Sequence, residues 1–124
     1  MEEIAIKGSD KTPTVIFKPG ELIIYGRSVP DNSYEFFRPL IRAVQKYCAE
    51  EKYPTVIKIT LDYISTGSSK CILDILKEFE KYFSAGNKTE VEWHYEEDDE
   101  DMEELGEDYK AIIDIPFNFT AHEE

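Results

Sequence analysis

The sequence has few cysteines and no long apolar run. Its two cysteines, Cys48 and Cys71, each lie within an apolar helical pattern. Two cysteines are too few for a disulfide framework or a cysteine-rich zinc motif, so we expect two buried thiols. No apolar stretch approaches the roughly 20 residues of a membrane-spanning helix. Residues 1–7 lack the basic and apolar segments of a signal peptide, so the expected location is the cytoplasm.

Basic residues are also scarce. Fourteen Lys and Arg residues stand against 27 Asp and Glu residues, which gives a formal net charge of −13. Nucleic acids and anionic membrane surfaces bind proteins of the opposite charge balance, so we expect neither as a partner. Ten of the carboxylates lie in residues 96–108, which contain no cation. This segment predicts a solvated helix face or an acidic surface that meets a partner.

Catalytic and cofactor-binding motifs are missing as well. The sequence has no glycine-rich phosphate loop, no G-x-S-x-G elbow, no H-E-x-x-H and no calcium-binding loop. We therefore expect no metal and no cofactor. A nucleophilic pair of Cys71 and His94 is the one enzymatic alternative that the residue types leave open. The sequence otherwise predicts a protein that is not an enzyme.

What is present indicates one α/β domain over residues 1–124, because 41% of the residues are hydrophobic and 13% are aromatic. Pro39 interrupts the first helical pattern, which predicts an irregular first turn after Ser33 or a regular helix from about Phe36. The predicted elements are, in chain order, a strand at 4–6, a hairpin of 14–17 and 22–26, a helix ending at 50–52, a strand at 55–63, a helix at 68–83, a strand at 89–95, a weakly anchored helix at 98–110, and a strand at 112–119 that contains Pro116.

Strands separated by helices require crossover connections, which predicts a mixed β-sheet with a hairpin near its N-terminus and about three helices packed on it. The strand at 55–63 is the most apolar, so we expect it in mid-sheet and covered on both faces. Open α/β folds place functional sites at the carboxyl ends of such strands.

Four hydroxyl side chains gather where this strand meets the next helix: Ser65, Thr66, Ser68 and Ser69, with Gly67 among them. One hydroxyl suffices to cap a helix. A phosphoryl group at the same place would meet free N–H groups and the positive end of the helix dipole. The junction therefore predicts either a plain cap or a regulatory phosphorylation site on a small docking protein.

The sequence resembles the SiaC-type family of bacterial regulatory phosphoproteins over nearly its whole length. The segments that carry the resemblance are Thr12-Pro13, residues 30–37, 61–70 and 73–76, Trp93-His94-Tyr95 and residues 117–123. The resemblance implies a fold similar to the STAS domain of anti-sigma-factor antagonists. It also implies that Thr66 is the phosphorylated residue, flanked by Asp62, Tyr63, Ser65, Gly67, Ser68 and Ser69. Asn32, Ser33, Tyr34 and Phe36 are the expected neighbouring partner surface.

The resemblance further implies a partner-switching circuit. A serine/threonine kinase and a PP2C-like phosphatase would set the phosphorylation state. The unphosphorylated form would bind and activate a diguanylate cyclase, raising cyclic di-GMP and favouring aggregation or biofilm. Gly67 after Thr66 is similar to the motif of the anti-sigma antagonists, so an anti-sigma kinase is the alternative partner.

Overall fold

The computed structural model describes residues 1–123, which form one six-stranded sheet and three helices. The elements are β1 (Ile4–Ile6), β2 (Thr14–Lys18), β3 (Glu21–Ser28), α1 (Ser33–Glu50), β4 (Thr55–Ile64), α2 (Thr66–Ser84), β5 (Thr89–Glu96), α3 (Glu100–Ile112) and β6 (Phe117–His122). The spatial order of the strands is their order in the chain. The predicted mixed sheet, its N-terminal hairpin and the three helices are confirmed.

The predicted hairpin of β2 and β3 turns at Pro19-Gly20. Gly20 has a φ of +87°, which suits the second central position of a type II turn, where a side chain would be strained. Its N–H donates to the Tyr47 hydroxyl at 3.0 Å. The turn is thereby fastened to α1 on the covered face of the sheet.

All three helices lie on one face of the sheet. From β3 onward the strands are parallel, and each crossover advances one position in the same direction. Right-handed crossovers that advance the same way place their helices on the same side. On that face Leu22, Ile57 and Val91 are fully buried. The opposite face, which includes Tyr25 and Lys58, is exposed or half-buried. The expectation that β4 is covered on both faces is therefore wrong, although β4 does lie in mid-sheet.

Helix α1 begins at Ser33 and is continuous, so neither an irregular first turn nor a start near Phe36 is correct. Asn32 caps the helix, because its side chain accepts from the Glu35 N–H. Pro39 removes the hydrogen bond to the carbonyl of Glu35. Both residues are exposed, so water can serve that carbonyl and the helix passes through the proline.

The final strand begins at Phe117, not at residue 112. Ile112 completes α3, while Ile113 and Ile115 are buried in the connection. Proline has no N–H for a ladder, and Pro116 contributes only its carbonyl, which accepts from Val91. The apolar run of residues 112–115 thus resembles a strand in sequence but lies before the strand.

Helix α3 is held more firmly than its acidic sequence predicts. Met102 and Tyr109 are buried, and the Trp93 indole donates to the Met102 carbonyl at 2.9 Å. A Cβ at Gly106 would lie 2.5 Å from the Trp93 ring. The helix therefore packs directly on β5 at a position that only glycine fits.

Candidate functional site

The junction of β4 and α2 is a capped helix start, as the hydroxyl cluster predicts. Ser65 is the N-cap, with extended backbone angles and a side chain that accepts from the Ser68 N–H at 3.1 Å. Thr66 is the first helical residue, two positions earlier than the predicted helix start. Thr66 and Gly67 contribute first-turn N–H groups for which the helix itself has no acceptor.

The four hydroxyls at the junction differ in access. The Ser68 side chain is fully buried. Ser65 is half-buried and serves as the cap, and the Ser69 hydroxyl donates to the Thr66 carbonyl at 2.8 Å. Thr66 alone is exposed. Among these four residues, Thr66 is therefore the most accessible to solvent.

Thr66 stands at the edge of an open groove between the N-terminal ends of α1 and α2. The groove has a volume of about 710 Å³ and is lined by Pro30, Asp31, Asn32, Ser33, Tyr34, Ser65, Thr66, Gly67, Lys70, Cys71 and Asp74. The structure thus brings the predicted partner residues Asn32, Ser33 and Tyr34 to the same groove as Thr66. Tyr34 is 57% exposed, so its ring is available to a partner.

The two helix starts touch at Gly67. A Cβ at this position would lie 2.8 Å from the Ser33 hydroxyl oxygen and 3.1 Å from the Ser33 Cβ. The absence of a side chain at Gly67 therefore sets how closely α1 and α2 approach, and so the width of the groove.

The groove carries little positive charge. Asp31 and Asp74 contribute two carboxylates and Lys70 one ammonium group, a formal balance of −1. A group of two further negative charges on Thr66 would make this surface strongly anionic.

Three residues predicted near the site lie away from the groove. Asp62 lines two shallow depressions on other sides of the β4 end. Tyr63 is 54% exposed, and the Arg27 guanidinium lies 5.1 Å from its ring centroid. Phe36 is half-buried and meets Phe37 edge to face. Side chains alternate between the two faces along a strand and rotate around the axis along a helix. Neighbours of the site in sequence therefore point away from Thr66.

The nucleophilic pair of Cys71 and His94 does not exist. Cys71 faces the core from α2, and burial, aided by Asp74, raises the pKa of its thiol. His94 lies on the opposite, open face of the sheet, where it bonds His122 at 2.7 Å and Glu92 at 3.3 Å. Since the sheet separates the two side chains, the enzymatic hypothesis built on them is wrong.

Sequence reasoning missed Ser28, which is fully buried at the end of β3. Its hydroxyl donates to the Ser68 hydroxyl at 2.8 Å, and its carbonyl accepts from the Ser65 N–H at 2.9 Å. The sequence feature that could have identified Ser28 is its position at the carboxyl end of a strand parallel to β4, beside the predicted site.

Two other features bear on what residues 1–123 can do. Within this range, no group of three or more His, Cys, Asp and Glu side chains is arranged to hold a metal ion. None of the helices in the same range combines the length and apolarity needed to cross a membrane.

Comparison with known proteins gives one consistent result. A model of the SiaC family of regulatory phosphoproteins matches residues 6–122. An uncharacterized protein of Pseudomonas aeruginosa (strain UCBPP-PA14) is 32% identical over 126 residues, covering 100% of both chains. The crystal structure of apo-SiaC from P. aeruginosa matches with a TM-score of 0.89 at 32% identity, over 98% of this chain and 100% of that one. The same organism's diguanylate cyclase SiaD has been crystallised with its activator SiaC, which matches with a TM-score of 0.88 at 32% identity, over 96% and 99% of the two chains.

Proposed function

This chain belongs to the SiaC family of regulatory phosphoproteins, and from that premise we propose that it binds and activates a diguanylate cyclase until Thr66 is phosphorylated. The protein acts as a regulator, not as an enzyme. The observation that carries the proposal is the likeness, over nearly the whole chain, to the SiaC that was crystallised with diguanylate cyclase SiaD. Cyclic di-GMP production is then the output that this protein controls.

The groove beside Thr66 supports its use as a docking surface. It is open, and its α1 wall presents Asn32, Ser33 and the exposed ring of Tyr34. Aromatic side chains with a polar tip are frequent anchors of protein interfaces. We place the cyclase contact on this wall and across the start of α2.

Thr66 supports the switch because it is the exposed hydroxyl of the junction. A kinase transfers the γ-phosphoryl group of ATP to Thr66 Oγ1, with release of ADP and the hydroxyl proton. The new phosphate stands at the first position of α2, where backbone N–H groups and the helix dipole favour an anion. The helix therefore tolerates the modification and stays folded.

Phosphorylation would release the partner through charge. The groove residues carry a formal balance of −1, from Asp31, Asp74 and Lys70. A phosphothreonine adds about −1.5 to −2 charge at neutral pH, which must be desolvated if a partner covers the groove. Hydrolysis of the phosphate by a PP2C-like phosphatase restores the binding form.

The modified residue can be tested by measuring the intact mass of protein purified from its own cells. Wild-type protein is expected to contain a fraction heavier by one phosphoryl group, and Thr66→Val to lack it, because valine has the same shape without the hydroxyl. Ser69→Ala, one helical turn away, is the matched control and is expected to keep the heavier fraction. A heavier fraction that persists in Thr66→Val, or never occurs in wild type, contradicts the proposal.

The partner can be tested by capture from the same cells with unphosphorylated Thr66→Val as bait. A diguanylate cyclase is expected among the captured proteins, and its activity is expected to rise when purified bait is added. Capture of an anti-sigma kinase without any cyclase would establish the alternative partner. The packing of Gly67 against Ser33 already accounts for the glycine that is similar to the anti-sigma antagonists.

A further inference from the structure

A ring of serine hydroxyls lies beneath the groove. The Ser68 hydroxyl oxygen contacts the other three hydroxyl oxygens, at 2.8 Å from Ser28, 3.0 Å from Ser65 and 3.3 Å from Ser33. Ser33 and Ser65 close the ring at 3.4 Å. Ser28 and Ser68 are fully buried.

Counting donors and acceptors assigns one consistent donor direction to the hydrogen bonds of the ring. A serine hydroxyl donates one hydrogen bond and accepts two. Ser28 and Ser65 both donate to Ser68, so both acceptor positions of Ser68 are filled. The Ser68 hydroxyl therefore donates its own proton to Ser33. Ser33 then donates to Ser65. Ser33, Ser65 and Ser68 thereby each donate and accept, and Ser28 adds one donated bond to Ser68.

The ring joins the two helix starts that form the groove to the end of β3. Ser28 ends β3, Ser33 begins α1, and Ser65 and Ser68 belong to the first turn of α2. The Ser28 carbonyl also accepts from the Ser65 N–H at 2.9 Å. Thr66 and Gly67 lie between the two ring residues of α2, so the ring sets the position of the turn that carries Thr66.

On the basis of the proposed function, we propose that Ser28 and Ser68 are positioning residues: the buried hydroxyl ring holds both helix starts and Thr66 in the arrangement that the partner binds. Neither residue touches the partner, because neither side chain has any exposed surface. Their effect passes through Ser33 and Ser65 to the groove wall.

The test separates positioning from stability by two variants. Ser68→Ala leaves the buried Ser28 donor without an acceptor, so its urea midpoint is expected to fall. Ser28→Ala with Ser68→Ala also removes that orphaned buried donor, while Ser33 and Ser65 are half-buried and pair with each other. The urea midpoint is therefore expected to return most of the way to the wild-type value. The Ser65 cap remains in both.

Although it recovers stability, the double variant is expected to remain loose at the groove. Amide hydrogen exchange of the hydrogen-bonded N–H groups at the two helix starts, those of Glu35, Phe36, Ser68 and Ser69, should rise about tenfold. Affinity for the captured diguanylate cyclase should fall about tenfold, the equivalent of roughly one net hydrogen bond. Thr120→Val, exposed on the open face of β6, is the control and should match wild type in both measurements.

Wild-type exchange or wild-type affinity in the stable double variant would overturn the inference. A wild-type protein that binds no cyclase would refute the proposed function instead. In that case faster exchange confined to the two helix starts still supports the ring's hold on the turn, and unchanged exchange refutes it.

Discussion

At the scale of single residues, Gly67 is the most constrained position of the groove. Alanine is about 1 kcal/mol better than glycine in a helix, yet its Cβ would lie 3.1 Å from the Ser33 Cβ, and neither atom can rotate away. We expect Gly67→Ala to lower the free energy of unfolding by about 1–2 kcal/mol, as overpacking commonly does. Urea denaturation measures the change. Ser69→Ala in the same turn is expected to change stability by less, and a stabilised Gly67→Ala would show that the two helix starts separate freely.

The hydroxyl cluster was predictable from the sequence because four hydroxyls and a glycine are adjacent in the chain. Which of them is exposed was not predictable from residue type. Ser28 and Ser33 lie about three dozen positions earlier, and only the parallel pairing of Ser28 with Ile64 brings β3 beside the junction. Contacts that depend on strand register are absent from local sequence patterns.

Because of the Cys48 thiol, we expect the free energy of unfolding to depend on pH in the alkaline range. Burial, aided by the charge of Glu78, raises its pKa from 9.0 to about 12, and burial raises the pKa of Tyr82 from 10.0 to about 12. The unfolded chain releases these protons earlier than the folded chain, so the unfolded state binds fewer protons at high pH. We expect the stability that depends on these two groups to be complete below about pH 9 and the free energy of unfolding to fall from about pH 9 to 12.

Urea midpoints across that pH range measure this effect. Cys48→Ala removes one of the groups whose pKa is raised, so its midpoint is expected to fall less steeply than that of wild type. An identical slope in the variant would assign the alkaline loss of stability to other groups.

At the scale of elements, α3 is tied to the start of α2 by one hydrogen bond. The Tyr109 hydroxyl donates to the Ser69 carbonyl at 2.6 Å, and its ring meets Trp93 edge to face at 5.5 Å. Tyr109→Phe keeps the ring packing and leaves the Ser69 carbonyl without this donor. We expect a loss of about 1–2 kcal/mol in the free energy of unfolding, measured by urea denaturation.

Tyr53→Phe is the control for that substitution. The Tyr53 side chain is 47% exposed, so the loss of its hydroxyl should change stability little. Amide exchange should increase in α3 and in residues 66–69 of the Tyr109 variant. A variant as stable as wild type would mean that α3 docks through its apolar side chains alone.

Element types were predictable from periodicity, whereas the starts of α1, α2 and β6 were not. The start of α2 was placed late because a threonine and a glycine are weak helix formers; the Ser65 cap overrides that preference. The start of β6 was placed early because Ile113 and Ile115 are apolar. Both side chains are buried outside any strand, and a strand-like sequence does not distinguish such burial from that of a strand.

At the scale of the whole molecule, the one-sided sheet follows from topology, not from strand composition. The apolar run of β4 predicts two covered faces. In the structure its inward residues Ile57, Ile59 and Leu61 alternate with half-buried or exposed ones. Three crossovers that advance in one direction leave the other face open, and only the strand order determines this. That order depends on long-range pairing.

In this one-sided architecture, much of the negative charge lies on α3, within the helical layer. The net charge is −13, and α3 carries its exposed carboxylates on the helical layer, with Lys110 as the basic residue of its last turn. Like charges within one helix repel each other through solvent, and salt screens that repulsion: the Debye length falls from about 30 Å at 0.01 M to about 10 Å at 0.1 M ionic strength. We therefore expect thermal stability to rise as sodium chloride increases over this range, by about 1 kcal/mol in the free energy of unfolding.

Neutralising part of α3 identifies the source of that salt response. Glu104, Glu107 and Asp108 are exposed, and their replacement by Gln, Gln and Asn keeps their size while removing three negative charges. This variant should be more stable than wild type at low salt and should gain less from added salt, because fewer repelling pairs remain to be screened. A control with Glu2, Glu3 and Asp10, exposed near the N-terminus, changed in the same way has the same net charge and should keep most of the wild-type response. Equal responses in the two variants would mean that the total charge, and not its concentration in α3, governs stability.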